Sequence, residues 1–291
     1  MLRRCSIPIA ILSLVISTML AAGTASAAQR AHPGTTRIKP GAFVHAYQPG
    51  GPMDRAESGG LPGRRSSSSV LSTNWSGYAV TGSSGTFTSV SASWTEPTAT
   101  CPGSSGGHHG RGGGGSTDQY AAFWVGLDGY SNDTVEQTGT DSDCDGTTPD
   151  YYGWYEMYPA GPVYFTNTMK AGDSISASVT FSGTDTYTLV LTDSTQGWTQ
   201  TILETESGLA RESAEVITEA PSSNSGVLPL ADFNTVNYTT AADTEGSGAS
   251  TSLGTQSPIE ITMVDNSGAD KDSTSSISSS GSFSNTWIRS T

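Results

Sequence analysis

From Leu71 onward, apolar and polar residues alternate along the chain with a period of two. Val90, Ala92 and Trp94 are separated by serines, Ile175, Ala177, Val179 and Phe181 by serine and threonine, and Ile259, Ile261 and Met263 by polar residues. Such spacing puts the apolar side chains on one face of a strand. Short apolar or alternating runs recur at Tyr120–Leu127, Tyr187–Leu191, Ala214–Thr218 and Phe233–Tyr238, divided by Gly, Ser, Asp and Pro. No stretch carries an apolar stripe of helical spacing. The pattern predicts an all-β protein, an antiparallel β-sandwich of two packed, curved sheets forming a single domain over residues 71–291. A last strand is expected at Phe283–Ile288, after a serine-rich connection, Ala269–Ser282.

The beginning of the chain follows other rules. Arg3 and Arg4, the apolar run Ile9–Ala22 and the small residues Ala25-Ser26-Ala27 form a secretory signal peptide over residues 1–27, too short for a membrane anchor. The expected product is secreted and extracellular. Residues 28–70 are rich in Gly, Pro, Ser and Arg and have no hydrophobic period, which predicts a pro-segment or linker ending near Arg64-Arg65 and Ser66–Ser69.

Charge divides at the same place. Residues 28–70 hold six basic residues against two acidic ones, whereas from Leu71 onward five basic residues face twenty-five carboxylates. Nucleic acid and anionic membranes are excluded as partners of so acidic a body. The basic stretch is either an electrostatic clamp, loosened as carboxylates titrate, or a disordered spacer. With few cations to hold carboxylates ionised, acid removes mainly repulsion, so acidic surroundings are expected to suit the protein. Cys5 leaves with the signal peptide, and Cys101 and Cys144 are expected to form a disulfide in an oxidising compartment; free thiols or metal ligands are the other reading.

Elimination narrows the chemistry. After Leu71 the only histidines are His108 and His109, in a glycine-rich loop that offers no rigid orienting group for a triad base. HExxH, GxSxG and the Asp-Thr/Ser-Gly pair are all absent. What remains is YAAFWVGLDG (Tyr120–Gly129), DTVEQTG (Asp133–Gly139), YYGWYEMYP (Tyr151–Pro159) and SAEVITEAP (Ser213–Pro221). In DTVEQTG, alternation sets Gln137 on the same face as Val135, so an amide is expected to point inward, where unpaired polar atoms cost about 1–3 kcal/mol.

These motifs, with NWSGYAV (Asn74–Val80), GDSISASV and LADFNTVNYT in the same order, resemble the glutamic peptidases, the eqolisin family. The resemblance implies a β-sandwich endopeptidase that acts on protein or peptide substrates in acid, without cofactor or metal. Gln137 matches the family's catalytic glutamine and Glu219 its catalytic glutamate. Trp75, Trp124, Asp128, Trp154 and Glu156 match positions that line or buttress the cleft. A glutamate with a reference pKa of about 4.3 suits work at roughly pH 3–5. Glu215, on the same strand face as Glu219, is the rival base. Two residues depart from the pattern: Glu136 stands at a usually apolar position and is expected on the face opposite Gln137, and Tyr152 replaces a common aspartate. A monomer is expected. The competing function is a secreted carbohydrate-binding or glycan-cleaving sandwich, since aromatic strands and paired carboxylates also make a sugar cleft.

Overall fold

The computed structural model describes residues 47–48, 50–56, 69–103 and 118–291. The signal peptide, most of the basic stretch and the glycine-histidine loop lie outside the described residues.

Two eight-stranded sheets pack face to face. The first runs, in spatial order, Ser69–Ser72, Ile259–Met263, Trp75–Thr81, Ser213–Glu219, Ala122–Leu127, Val135–Asp145, Thr148–Tyr158 and Val163–Tyr164. The second runs Trp198–Thr205, Thr186–Asp193, Ser174–Gly183, Phe87–Thr95, Thr235–Glu245, Phe283–Trp287 and Asp272–Thr274, with Thr251–Ser252 beside Thr235–Glu245. Neighbours pair antiparallel except Ser69–Ser72, which runs parallel to Ile259–Met263. Among the described residues there is no α-helix, only a 3-10 turn at Leu253–Thr255. The expected sandwich is therefore the fold. Trp198–Thr205 was not legible as a strand because it is an edge: its alternating residues are Thr, Gln and Glu, and only Ile202 is buried.

Alternation works as expected on both sheets, but the first sheet buries both of its faces. One face carries Tyr78, Val80, Phe123, Val125, Leu127, Ala214 and Val216 and packs on Val90, Trp94, Val179, Leu189 and Tyr238 of the second sheet. Each such side chain contributes about 1.5–3 kcal/mol on burial. The other face carries Trp75, Ala79, Ala122, Trp124, Val135, Tyr152, Trp154 and Ile217. Gln137 shares the face of Val135 and is buried, as expected; the face is the outer aromatic one rather than the sheet-to-sheet core. Glu136 does point the opposite way, into the space between the sheets, where burial pushes its carboxyl well above the ordinary range and Asp128 adds to the shift.

Cys101 and Cys144 are joined, with Cα atoms 5.4 Å apart and 43 residues of separation. The bond ties the end of the Gln137 strand to the segment leaving Phe87–Thr95. Cys144→Ser is expected to lower unfolding free energy by about 4 kcal/mol from loop entropy alone, measured by denaturant melts of both proteins.

Candidate active site

Four strands in consecutive register build the outer aromatic face. Ile217 pairs with Trp124, Trp124 with Gly139 and Gly139 with Trp154, forming one row across the sheet. The row above reads Glu215, Gly126, Gln137, Glu156, and the row below Glu219, Ala122, Asp141, Tyr152. Glycine is required where the Trp124 indole lies. A Cβ on Gly139 would come within 2.5 Å of Trp124 Cβ, and one on Gly126 within 2.8 Å of its Cζ3. With those positions empty, the indole lies along the sheet and its Nε1 donates to Glu219 Oε2 at 2.8 Å. Trp75 meets Trp124 edge to face, ring centroids 4.9 Å apart.

Gln137 Nε2 donates to Glu156 Oε2 at 3.0 Å. That bond fixes which end of the amide is the nitrogen and holds the other N–H toward the cleft. Trp154 Nε1 donates to Asp141 Oδ1 at 2.7 Å, and the Tyr152 hydroxyl donates to Asp143 Oδ2. The tyrosine that departs from the family pattern is thus paired with a carboxylate of the neighbouring strand. Asp141 and Asp143 were missed in the sequence, although their spacing from Gln137 already places them on its face.

Asp128 stands apart from this group. Its oxygens accept from the backbone N–H groups of Arg211 (2.6 Å) and Glu212 (2.9 Å) and from Asn132 Nδ2 (2.9 Å), so it ties the loops at the far end of the sheet. Glu215 lies in the same row as Gln137 with the Gly126 strand between them, and Ser213, Asp128 and Glu136 are its polar neighbours.

A segment from the basic stretch covers the outer face. Tyr47–Gln48 pairs antiparallel with Ser222–Ser223, just beyond Glu219, in a small sheet with Gly226–Val227. Gly50 N donates to Glu219 Oε2 at 2.7 Å, and Gln137 Nε2 donates to Gly50 O at 2.5 Å. Trp75 Nε1 donates to Gly51 O (3.1 Å), and Asn74 Nδ2 to Pro52 O (3.1 Å). Asp54 N donates to Asn74 Oδ1 (2.8 Å), Met53 N to Gly129 O (3.0 Å), and Met53 packs into the cluster of Trp75, Trp124 and Trp154. Asn74 also sets the active strand, since its carbonyl accepts from Ala220 N at 2.8 Å. Arg55, the one cation of the basic stretch among the described residues, lies 4.6 Å over the Tyr130 ring.

Gln137, Glu156 and Glu219 are 0% exposed. Burial pushes Glu219 up to about 8 against the lowering effect of the Trp124 and Gly50 donors. The ordinary carboxylate expected from the sequence is therefore absent while the segment is seated. Glu156 is raised well above its usual range, first by burial and then by the nearby Glu219.

The Peptidase A4 family model matches residues 73–287. The chain is 31% identical to aspergillopepsin-2 of Aspergillus niger over 209 residues, 67% of this chain and 70% of that protein. It is 32% identical to scytalidopepsin B of Scytalidium lignicola over 206 residues, 67% of this chain and 71% of that one. Its fold overlays the crystal structure of scytalido-glutamic peptidase with a peptide-based transition-state analogue at a TM-score of 0.60 and 29% identity, covering 74% of this chain and 98% of the other. No glycan-binding relative is needed to account for the aromatic cleft. The chain belongs to the Peptidase A4 family and is a glutamic peptidase, a hydrolase of peptide bonds.

Proposed function

We propose that Glu219 and Gln137 form the catalytic dyad of a secreted endopeptidase that works in acid. The observation that carries this reading is that the two functional groups grip one backbone residue from its two ends: Glu219 Oε2 takes the N–H of Gly50 and Gln137 Nε2 donates to its carbonyl oxygen. The two side chains thus reach the N–H and the C=O on either side of one α-carbon, so both stand within reach of a peptide backbone laid along this face.

In the reaction, the Glu219 carboxylate removes a proton from water as the water oxygen bonds to the scissile carbonyl carbon. The carbonyl electron pair moves onto oxygen, where the Gln137 N–H donates to the developing oxyanion. Glu219 then returns its proton to the amide nitrogen, the C–N bond breaks, and a carboxylic acid and an amine leave. Glu156 is a positioning residue that keeps the amide nitrogen aimed at the oxyanion. Trp124 Nε1 favours the ionised form of Glu219, and Trp75 walls the groove and holds a peptide carbonyl, as it holds that of Gly51. Asp128 buttresses the loop.

Two related observations support the substrate class. A scytalido-glutamic peptidase has been crystallised with a peptide-based transition-state analogue, and SCP-B, a member of the eqolisin family, with the tripeptide Ala-Ile-His. Glu219 must lose its proton to act, so work in acid requires that the cleft admit water and lower its pKa from the covered value of about 8. The test is hydrolysis of a denatured protein at about pH 3–4, near the reference carboxylate pKa, with pepstatin present. Cleavage that pepstatin leaves untouched is the expected result. Complete inhibition, or no cleavage by enzyme freed of residues 1–70, would count against the dyad.

A further inference from the structure

We infer that the cavity beside Lys271 is a specificity pocket that takes a carboxylate of the peptide substrate, four residues on from the carbonyl held at the dyad. The inference rests on the Glu219/Gln137 reading and deepens it by naming what the preferred substrate carries.

The cavity, about 270 Å³ in volume, opens where the strands of the active face end. Trp75 pairs with Glu219, and Thr73, just before it in the chain, is one wall. Val227 and Leu228 form another, tied to the end of the Glu219 strand by Leu228 N, which donates to Pro221 O at 2.9 Å. Val264, Asp265 and Lys271 line the rest with their neighbours, and Val264 N donates to Ser72 O at 2.8 Å. A chain already laid on this face shows the reach from the dyad. Asp54 follows Gly50 by four residues, and its Oδ2 accepts from Thr73 Oγ1 at 2.7 Å. A peptide taking the same path brings a carboxylate to the cavity wall.

Lys271 is 4% exposed, burial that a lysine rarely has without an anion beside it. Among the described residues its ammonium has no hydrogen bond or ion pair, and the charges that act on it are Asp272 and Asp265. Both are engaged elsewhere. Asp265 Oδ1 accepts from Ser267 N (2.8 Å), Ser267 Oγ (2.6 Å) and Ala269 N (3.0 Å), and Oδ2 lies 3.9 Å from Arg289 Nη1. Asp272 accepts from Ser76 Oγ; burial pushes it up to about 7, with Asp270 adding to the rise, so it is uncharged in acid. Thr291 also borders the cavity, with no ion pair to Lys271. Burial lowers Lys271 to about 8, so in acid the ammonium keeps its charge. A desolvated cation therefore lines the cavity without a counter-ion of its own. A carboxylate supplies one through a charge-assisted bond, and Val227, Leu228 and Val264 suit the methylenes of a glutamate.

The test uses the full chain and amidated peptides that differ only in carrying Glu or Gln four residues after the one that supplies the cleaved carbonyl, the cut being located by mass. The ratio of the two kcat/KM values is read, so that the share of covered clefts cancels. Wild type is expected to favour Glu roughly ten-fold at about pH 5 and scarcely at about pH 3, where that side chain is mostly protonated. Lys271→Met should lose the preference and Lys271→Arg keep it. A peptide ending at that position as a free acid, set against its amide, tells whether a chain end is taken as well as a side chain. No preference in wild type, or one that survives in Lys271→Met, would overturn the inference. Should Lys271→Met not fold, the wild-type ratio decides alone, and equal ratios at the two pH values count against the pocket. Should nothing be hydrolysed, the dyad reading fails separately. The Kd ratio of the same peptides on Glu219→Gln, read by tryptophan fluorescence, then judges the pocket: roughly ten-fold in favour of Glu at about pH 5 keeps it, and equal values remove it.

Discussion

Glu219→Gln is expected to abolish peptide hydrolysis in enzyme freed of its covering segment, lowering kcat by about three to four orders of magnitude, the upper part of what a positioned general base contributes. The amide keeps the volume and can still accept from Trp124 Nε1, which donates to Oε2 in the wild type. The fold therefore survives, and only the proton acceptor is lost. Gln137→Ala removes the oxyanion donor and is expected to cost about two to three orders in kcat, with KM little changed because that donor acts mainly on the transition state. Circular dichroism of the variants checks folding, and kcat and KM on one peptide check the roles. Hydrolysis retained in both variants would remove the dyad. Loss in Glu219→Gln with full activity in Gln137→Ala would leave the carboxylate acting with a different partner, and Glu215→Gln is the next comparison.

The second large effect concerns stability against pH. Burial pushes Glu96 up to about 8 and Asp272 up to about 7, and raises Glu136, Asp141, Glu156 and Glu215 well above their ordinary range. In the unfolded chain these groups titrate near pH 4 to 4.5. A carboxyl that holds its proton more tightly when folded stabilises the fold fully below its unfolded pKa, and this stabilisation is lost as pH rises through its folded pKa. The window thus runs from about pH 4.5 to 8 for Glu96. The melting temperature is expected to fall by at least about 10 °C between pH 4 and pH 8, since several kcal/mol are at stake in a domain of this size. Glu96→Gln keeps an acceptor for Ser142 Oγ, which donates to Glu96 Oε1 at 2.6 Å, and removes one titration. It should flatten the alkaline side of that profile, as scanning calorimetry at a series of pH values would show. A flat wild-type profile would contradict the buried neutral carboxyls. Scarce ion pairs make acid tolerance an expectation from the sequence, and the burial of these carboxyls adds a second reason to expect it. Scarce ion pairs do feature, with Arg289–Asp265 at 3.9 Å a distant example. The larger effect is expected from burial, which raises many of these acids above their ordinary range.

The sandwich was legible because period-two alternation maps directly onto the faces of a strand, as at Val90–Trp94 and Ile175–Phe181. Trp198–Thr205 was not, since an exposed edge needs no apolar residues. Gln137, Glu219 and the three tryptophans were legible through the motifs that carry them, and they do share one face. Alternation put Gln137 on the buried face of Val135, but it could not say which face of the first sheet meets the second, because that sheet is covered on both sides. Asp141 and Asp143 acquire their roles only through partners on the neighbouring strand, and Asn74 through the covering segment.

The local order of residues by itself determined most of the strands and the sheet class, made Cys101–Cys144 the favoured pairing, and carried the motifs from which the two groups proposed for catalysis were read. Tertiary structure alone decided that Asp128 accepts from Arg211 N, Glu212 N and Asn132 Nδ2, that so many carboxyls lose access to water, and that Gly50 lies between Glu219 and Gln137. The physical reason is distance along the chain: 169 residues separate Gly50 from Glu219, and no local period encodes which segment will reach across to fill a groove.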